Sequence, residues 1–238
     1  HTLFVGTSTK GLFRYTRHRF RSLLPLSVDV GAGDNAFYAQ AVLDSGRVLT
    51  PKGLVCGPNG FENGPFMPGS FDVQCVHRDT QGRVWRWGSN TLWLHQATSG
   101  ELIRKVPSLV GRVTVFLEEP DTLWWVGATG LVAWVNDSAH LVLEHRSTNY
   151  REDPFALVRG PDGHLWWGTG HGVWRVVGQR LVAVPGLETT YARTLFCWRG
   201  RMLVGTYGEG PLVVEGGKVT RLPLDVDGAL THVHAFIP

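Results

Sequence analysis

A short strand that ends in glycine recurs along this chain and constrains the fold more than any other feature. The clearest copies end, in chain order, at Gly88, Gly127, Gly168 and Gly205. These glycines are separated by 39, 41 and 37 residues. Gly6 lies 82 residues before Gly88, which is the length of two such steps and places a degenerate copy at residues 44–51. The sequence therefore contains six copies of a unit of about 40 residues.

The best copy, at residues 160–175, reads GPDGHLWWGTGHGVWR. It predicts two strands joined by a glycine turn at 170–172, and the other copies have further short strands upstream and downstream. Three or four short strands in a repeat of this length are typical of a propeller blade. Because no window shows apolar residues at helical spacing, helical repeats are disfavoured. We predict an all-β chain folded as a six-bladed β-propeller.

The two ends of the chain add a prediction about how the ring closes. Residues 1–4 read as the second strand of a blade, and residues 231–238 read as a first strand without its continuation. Joined, they would rebuild one terminal blade and remove two exposed sheet edges. We expect one domain over residues 1–238; the alternative is a larger ring from which a piece was cut. Since the chain begins with His1, we also expect an excised or processed piece.

Composition excludes several classes of protein. A formal net charge of +3 with 18% charged residues is too mild for a nucleic-acid partner. No run of 18 apolar residues predicts a membrane span in this piece. Cys56, Cys75 and Cys197 are far apart and odd in number, so we interpret them as buried free thiols. The tryptophans recur at equivalent repeat positions, which indicates a structural role.

The pattern D-x-x-G-x-L-W-x-G-T-x-x-G-L is best seen at residues 162–173, and partly at 79–92 and 200–212. It resembles the two-component regulator propeller repeat. That resemblance implies a bacterial sensor domain in signal transduction, on the periplasmic or extracellular side of the membrane. Residues 160–167 are also similar to the repeats of streptogramin lyase propellers, which are enzymes. No His/Glu constellation of those lyases can be placed on this sequence, so the transfer of enzyme activity is not supported.

In a propeller, the loops that lead into the inner strands share one face with the loops that follow the second strands, and together they form a funnel. We expect function where the copies differ on that face. The candidate ligand-binding residues in the first loops are Tyr38, Asp72, Arg112, Tyr150, Arg151, Tyr191, Arg193, His232 and His234; those in the second loops are His171, Tyr207 and Glu209. Aromatic and arginine side chains suit stacking on a flat ring or sugar and gripping a carboxylate. The alternative is loop packing with ion pairs inside each loop.

His232 and His234 form the sharpest small motif, because residues two apart on a strand point to the same side. Both could ligate one metal ion if His171 or Glu209 supplied a third ligand. We favour hydrogen-bonded or exposed histidines and predict neither a metal nor a cofactor. The sequence lacks G-x-S-x-G, H-E-x-x-H, a P-loop and C-x-x-C, so no catalytic residues are assigned.

These features favour a non-catalytic ligand-binding or sensory propeller that binds a small molecule or carbohydrate at the mouth of the central channel. An alternative is a protein-protein interaction scaffold, for which residues 61–67 supply an apolar, Gly/Pro-rich loop expected to be exposed. A second alternative is a lyase-like enzyme that uses the histidines named above.

Overall fold

The computed structural model describes residues 3–6, 12–16, 19–23, 39–44, 46–62, 64–66, 75–145, 153–222 and 231–236. For the three segments before residue 39 it describes the backbone. The chain divides into two compact units, His1–Ser108 and Leu109–Pro238. No helix long and apolar enough to cross a membrane occurs among the described residues.

The first unit contains three antiparallel sheets, and each sheet contains one copy of the repeat. Sheet 1 consists of β1 (Leu3–Gly6), β2 (Leu12–Thr16) and β3 (Arg19–Leu23). Sheet 2 consists of β4 (Ala41–Asp44), β5 (Arg47–Leu49), β6 (Val55–Gly57) and β7 (Gly60–Glu62). Sheet 3 consists of β8 (Val76–Arg78), β9 (Arg83–Gly88), β10 (Thr91–Gln96) and β11 (Leu102–Pro107).

The second unit contains three four-stranded sheets. Sheet 4 consists of β12 (Val113–Glu119), β13 (Thr122–Gly127), β14 (Gly130–Val135) and β15 (Ser138–Glu144). Sheet 5 consists of β16 (Pro154–Arg159), β17 (Leu165–Thr169), β18 (Gly172–Val177) and β19 (Arg180–Ala183). Sheet 6 consists of β20 (Ala192–Trp198), β21 (Arg201–Thr206), β22 (Pro211–Glu215) and β23 (Lys218–Arg221).

Every sheet is a meander, with its strands in chain order. In the second unit the first strands lie side by side, β12 beside β16 and β16 beside β20, and in the first unit β4 lies beside β8. Neighbouring first strands are what a propeller blade arrangement requires. The all-β class and the strands flanking each repeat glycine are therefore confirmed. The count of six blades, the shared terminal blade and the single domain stay predictions.

In three repeats, the tryptophan at one equivalent position donates a hydrogen bond to an acidic side chain near the preceding turn. The indole Nε1 of Trp166 donates to Asp162 at 2.9 Å, that of Trp85 donates to Asp79 at 2.9 Å, and that of Trp124 donates to Glu119 at 2.7 Å. A buried indole N–H needs such an acceptor. This contact agrees with a structural role for these tryptophans, and explains why the repeat places an acidic residue shortly before Trp.

The sequence alignment on glycine is wrong by one residue in the third and fourth copies. In the third copy, Gly88 pairs with Thr91 across β9 and β10. Gly127 pairs with Gly130 across β13 and β14, as Thr169 pairs with Gly172 across β17 and β18. Gly88 and Gly127 therefore occupy the position of Thr169 rather than that of Gly168. The indole contacts of Trp124 and Trp166 give the same alignment. The register of the strands is set by hydrogen bonds between them, which a comparison of residue types along the sequence does not include.

Two other predictions are decided by burial. Phe66 is 3% exposed, packs in the core of the first unit and meets the His95 ring edge-on at 5.9 Å. The expectation of an exposed loop at 61–67 is therefore wrong for Phe66, and Phe61 lies in β7. All three cysteines are free; Cys56 and Cys75 are buried, and Cys197 is half-buried.

Candidate functional site

Residues 231–236 lie along sheet 6 at the end where β21 finishes. The Val233 amide donates to the Thr206 carbonyl at 2.9 Å, and His232 forms a β-bridge with Tyr207. Val233 packs over Gly205, where a Cβ would lie 2.8 Å from its Cγ1. Ala192 packs over Gly168 in the same way. The start of β20 therefore packs beside sheet 5, and residues 231–236 pack beside sheet 6 in the equivalent position.

The first strands of the second unit each begin with a bulge. The register shifts between Val113 and Val115 in β12, between Pro154 and Ala156 in β16, and between Ala192 and Thr194 in β20. A bulge leaves one residue without a partner and redirects its side chain. The residues at this position are Thr114, Phe155 and Arg193, and the match of Val233 to Ala192 assigns His234 to the same position.

Three stacked rings lie at this end of sheets 5 and 6, and we call Phe155, Tyr191 and Tyr207 the aromatic cluster. Phe155 stacks on Tyr191 with a centroid separation of 5.3 Å and an angle of 23°. Tyr191 meets Tyr207 at 5.3 Å and 39°. The backbone fixes this order, because the Tyr207 amide donates to the Tyr191 carbonyl at 2.9 Å. Tyr207 is 52% exposed, so the cluster presents a ring to solvent.

Three basic side chains border the aromatic cluster, and we call Arg193, His232 and His234 the basic rim. The Arg193 guanidinium carbon lies 4.5 Å from the centroid of the Phe155 ring. The rings of His232 and His234 meet Tyr207 edge-on at 4.1 Å and 6.2 Å. Both histidines therefore contact the same ring, which agrees with the prediction that they point to one side.

The local charge around the basic rim is positive. Burial lowers the pKa of His234, and Arg193 and His232 lower it further by repulsion. His232 has one local partner, because its Nδ1 lies 2.7 Å from the Thr231 hydroxyl. Within the described ranges, no carboxylate forms an ion pair with Arg193, His232 or His234.

Arg112 lies at the same end of the unit but has its own acidic neighbour. Its Nη1 is 4.0 Å from a carboxylate oxygen of Asp153, just before β16. Burial raises the pKa of Asp153, and Arg112 opposes that shift. The Thr114 hydroxyl donates to the Pro154 carbonyl at 2.8 Å and holds β12 against β16. Arg112 therefore belongs to this ion pair rather than to the basic rim.

His171 and Glu209 are exposed in the turns that follow β17 and β21. Their amides donate to the hydroxyls of Thr169 and Thr206, which in turn donate to Gly172 and Gly210 carbonyls. Those contacts fix the backbone of both turns. No three His, Cys, Asp or Glu residues gather into a metal site in the part of the chain that the structure describes. Neither residue thus supplies the third ligand considered for His232 and His234.

The structure brings together Tyr191, Arg193, Tyr207, His232 and His234 from the predicted set. Tyr38, Asp72, Tyr150 and Arg151 lie outside the described residues. Phe155 was missed, because a strand residue of an apolar segment reads as core. Comparing the repeats could have found Phe155. It is the second residue of β16, as Arg193 is the second residue of β20.

A groove of about 390 Å³ lies at the opposite end of sheets 5 and 6. Trp166, Val184 and Val214 are among its lining residues, and Asp162 and Arg175 form an ion pair at 3.3 Å beside it. Although burial opposes it, hydrogen bonds from Trp166, the His164 amide and Arg175 hold the pKa of Asp162 below its usual value. Because these polar groups already bind one another, this groove is the weaker candidate.

No family model matches the chain, and no curated protein matches it by sequence. Among solved structures it is similar to the extracellular domain of BT4673 from B. thetaiotaomicron, described as a one-component or hybrid two-component system. The TM-score with the BT4673 domain is 0.73, and the sequence identity is 14% over 98% of this chain and 33% of that chain. It is also similar to virginiamycin B lyase from Staphylococcus aureus, with a TM-score of 0.68 and 12% identity over 97% and 83% of the two chains. The chain thus spans about a third of the BT4673 domain, and the likenesses show a β-propeller-like fold.

Proposed function

We propose that this chain is a non-catalytic sensory module of β-propeller type that binds a small molecule or carbohydrate at the aromatic cluster. The observation that carries the proposal is the solvent-facing stack of Phe155, Tyr191 and Tyr207 beside Arg193. A flat ring or the apolar face of a sugar can stack on such a surface, and the guanidinium can bind its polar groups. This end of the sheets is where a propeller has its channel mouth.

The likeness to an extracellular domain of a signalling system supports a sensory role over the scaffold alternative. It also supports an extracellular or periplasmic location. The structure weakens the scaffold alternative independently, because Phe66 of the proposed docking loop is buried in the core. The lyase alternative requires turnover, which the test below includes.

Tyr207→Ala should weaken the binding of ring-containing probes without unfolding the protein, because this side chain is half exposed and closes no core. The probes are a panel of neutral sugars, uronic acids and aromatic acids at millimolar concentration, screened by thermal shift and confirmed by calorimetry. Loss of one stacking partner should weaken binding by about tenfold.

Trp198→Ala is the matched control, because Trp198 is 43% exposed at the other end of the same sheet. It should bind each probe as the wild type does. Equal binding by wild type and Tyr207→Ala, or no binding of any probe by the wild type, would contradict the proposal. Conversion of a probe, seen by mass spectrometry, would support the lyase alternative instead.

A further inference from the structure

We propose that the ligand of the aromatic cluster carries a carboxylate or another anionic group, which the basic rim binds. This inference rests on the proposed function, since it concerns the charge of whatever stacks on Tyr207. It follows from the placement of Arg193, His232 and His234 around one group of rings. A ring-shaped acid, such as a uronic acid or an aromatic carboxylate, matches both halves of the site.

The geometry brings a cation and two groups that can become cations to the same aromatic cluster. Arg193 lies over Phe155, while His232 and His234 both meet the edge of Tyr207. A ring stacked near Tyr207 therefore has donors on its border. Arginine and protonated histidine form stronger hydrogen bonds with a carboxylate than with a neutral hydroxyl. An anionic substituent should therefore bind this rim more tightly than a hydroxyl does.

Among the residues that the structure describes, the acidic groups nearby do not satisfy these donors. Asp153, at the start of β16, has Arg112 as its ion partner. Glu209 is exposed two residues after Tyr207, and it contributes nothing to the pKa of His234. Glu188, in the turn before Tyr191, is exposed and accepts from the Gly186 amide at 2.9 Å, and His171 lies in the neighbouring turn after β17. With both rim histidines protonated, the site carries an excess of positive charge that an anion would neutralise.

Protonation should therefore control affinity. Burial lowers the pKa of His234 and repulsion by Arg193 and His232 lowers it further, so the free protein holds a proton there less readily than an isolated histidine does. A bound anion offsets that repulsion, and binding takes up protons. Affinity for the anion should rise as pH falls and the rim gains protons, whereas affinity for a neutral ring should not.

The test compares two matched pairs of probes, galacturonate with galactose and benzoate with benzyl alcohol, by calorimetry at about pH 8 and pH 5.5. We expect the acid of at least one pair to bind at least about tenfold more tightly than its neutral partner at the lower pH. The preference should shrink by several-fold at the higher pH. Proton uptake should appear as a dependence of the binding enthalpy on the ionisation enthalpy of the buffer.

Arg193→Gln should remove most of the charge preference, and Arg193→Lys should restore part of it, which a merely structural arginine would not do. The double variant His232→Gln/His234→Gln should remove the pH dependence and keep the stacking. Arg221→Gln, on the outermost strand of sheet 6, is the control and should behave as the wild type.

Equal affinity for acid and neutral partners, or a preference that does not change with pH, would overturn the inference and leave the proposed function standing. Failure of all four probes, with binding of other neutral sugars in the broader panel, would overturn it too. Failure of every probe in both experiments would overturn both proposals.

Discussion

At the scale of single residues, the same structural task is performed by different side chains in different repeats. Asp162 and Asp79 accept from the indole of the next tryptophan, and Glu119 does so in the fourth copy. Glu119 has a second partner, since Arg159 approaches both of its oxygens, at 2.8 Å and 2.5 Å. That pair joins the ends of β12 and β16, so one carboxylate connects two sheets.

Glu119→Gln should lower the free energy of unfolding by about 1 kcal/mol at pH 7, because Arg159 is partly exposed and water screens the pair. Hydrogen bonding from Arg159 holds the pKa of Glu119 below its usual 4.5. A lowered carboxylate pKa contributes stability that is complete above the unfolded-state value and disappears as pH falls through the folded-state value. Urea unfolding of both proteins at neutral and strongly acidic pH checks this. A stability difference that persisted under strongly acidic conditions would contradict it.

A buried cation is a second residue-scale feature, because Arg86 is fully buried in β9. Burial lowers its pKa to about 10. Its Nε donates to the Pro51 carbonyl at 2.9 Å, and a Cβ on Gly53 would lie 3.0 Å from its Nη2. Gly53 also has a φ of 92°, which L side chains rarely adopt, so both its backbone conformation and the close guanidinium favour glycine there.

At the scale of the element, the bulge in each first strand decides which side chains reach the candidate site. The bulge lies two residues into β12, β16 and β20, and its residue is Thr, Phe or Arg in turn. The backbone is thus constant while the chemistry changes. This is how a repeat can keep one fold and vary its surface at one position.

The glycine near the end of β21 gives a prediction about this element. Gly205→Ala should destabilise the protein by roughly 1–3 kcal/mol, because a Cβ would press on the side chains of Thr194 and Val233. It should also displace residues 231–236, and therefore weaken probe binding through His232. Chemical denaturation and calorimetry measure the two effects.

Gly46→Ala is the matched control, because a Cβ there would meet Pro58 at an ordinary 3.5 Å. It should change stability by no more than about 0.5 kcal/mol. Equal destabilisation by both substitutions would show that the close packing of Val233 over Gly205 does not matter.

At the scale of the whole molecule, six similar sheets predict one closed ring. If the ring closes, the units His1–Ser108 and Leu109–Pro238 should unfold together. We expect one calorimetric transition, with a van't Hoff enthalpy equal to the calorimetric enthalpy. Gly205→Ala should then lower the unfolding temperature of the complete molecule. Two transitions, of which Gly205→Ala shifts one, would contradict the ring and the single domain.

The sequence by itself determined the class of fold, the strands of each repeat and the end of the sheets at which variable residues gather. These properties are local, because glycine turns, alternation along strands and a spacing of about 40 residues are contained within each repeat. The positions of Tyr191, Arg193, Tyr207, His232 and His234 follow from that spacing. These five residues come together for the same reason, and their role in ligand binding stays a prediction.

Only the tertiary structure decided the register and the partners. Gly127 aligns with Thr169 because hydrogen bonds between strands, rather than the similarity of residue types, set strand pairing. Phe155 joins the cluster because a bulge redirects it, whereas Phe66 is buried and Arg112 pairs with Asp153. Each of these outcomes depends on contacts between residues of different strands or repeats, and the free energy of such contacts is absent from any single segment of the chain.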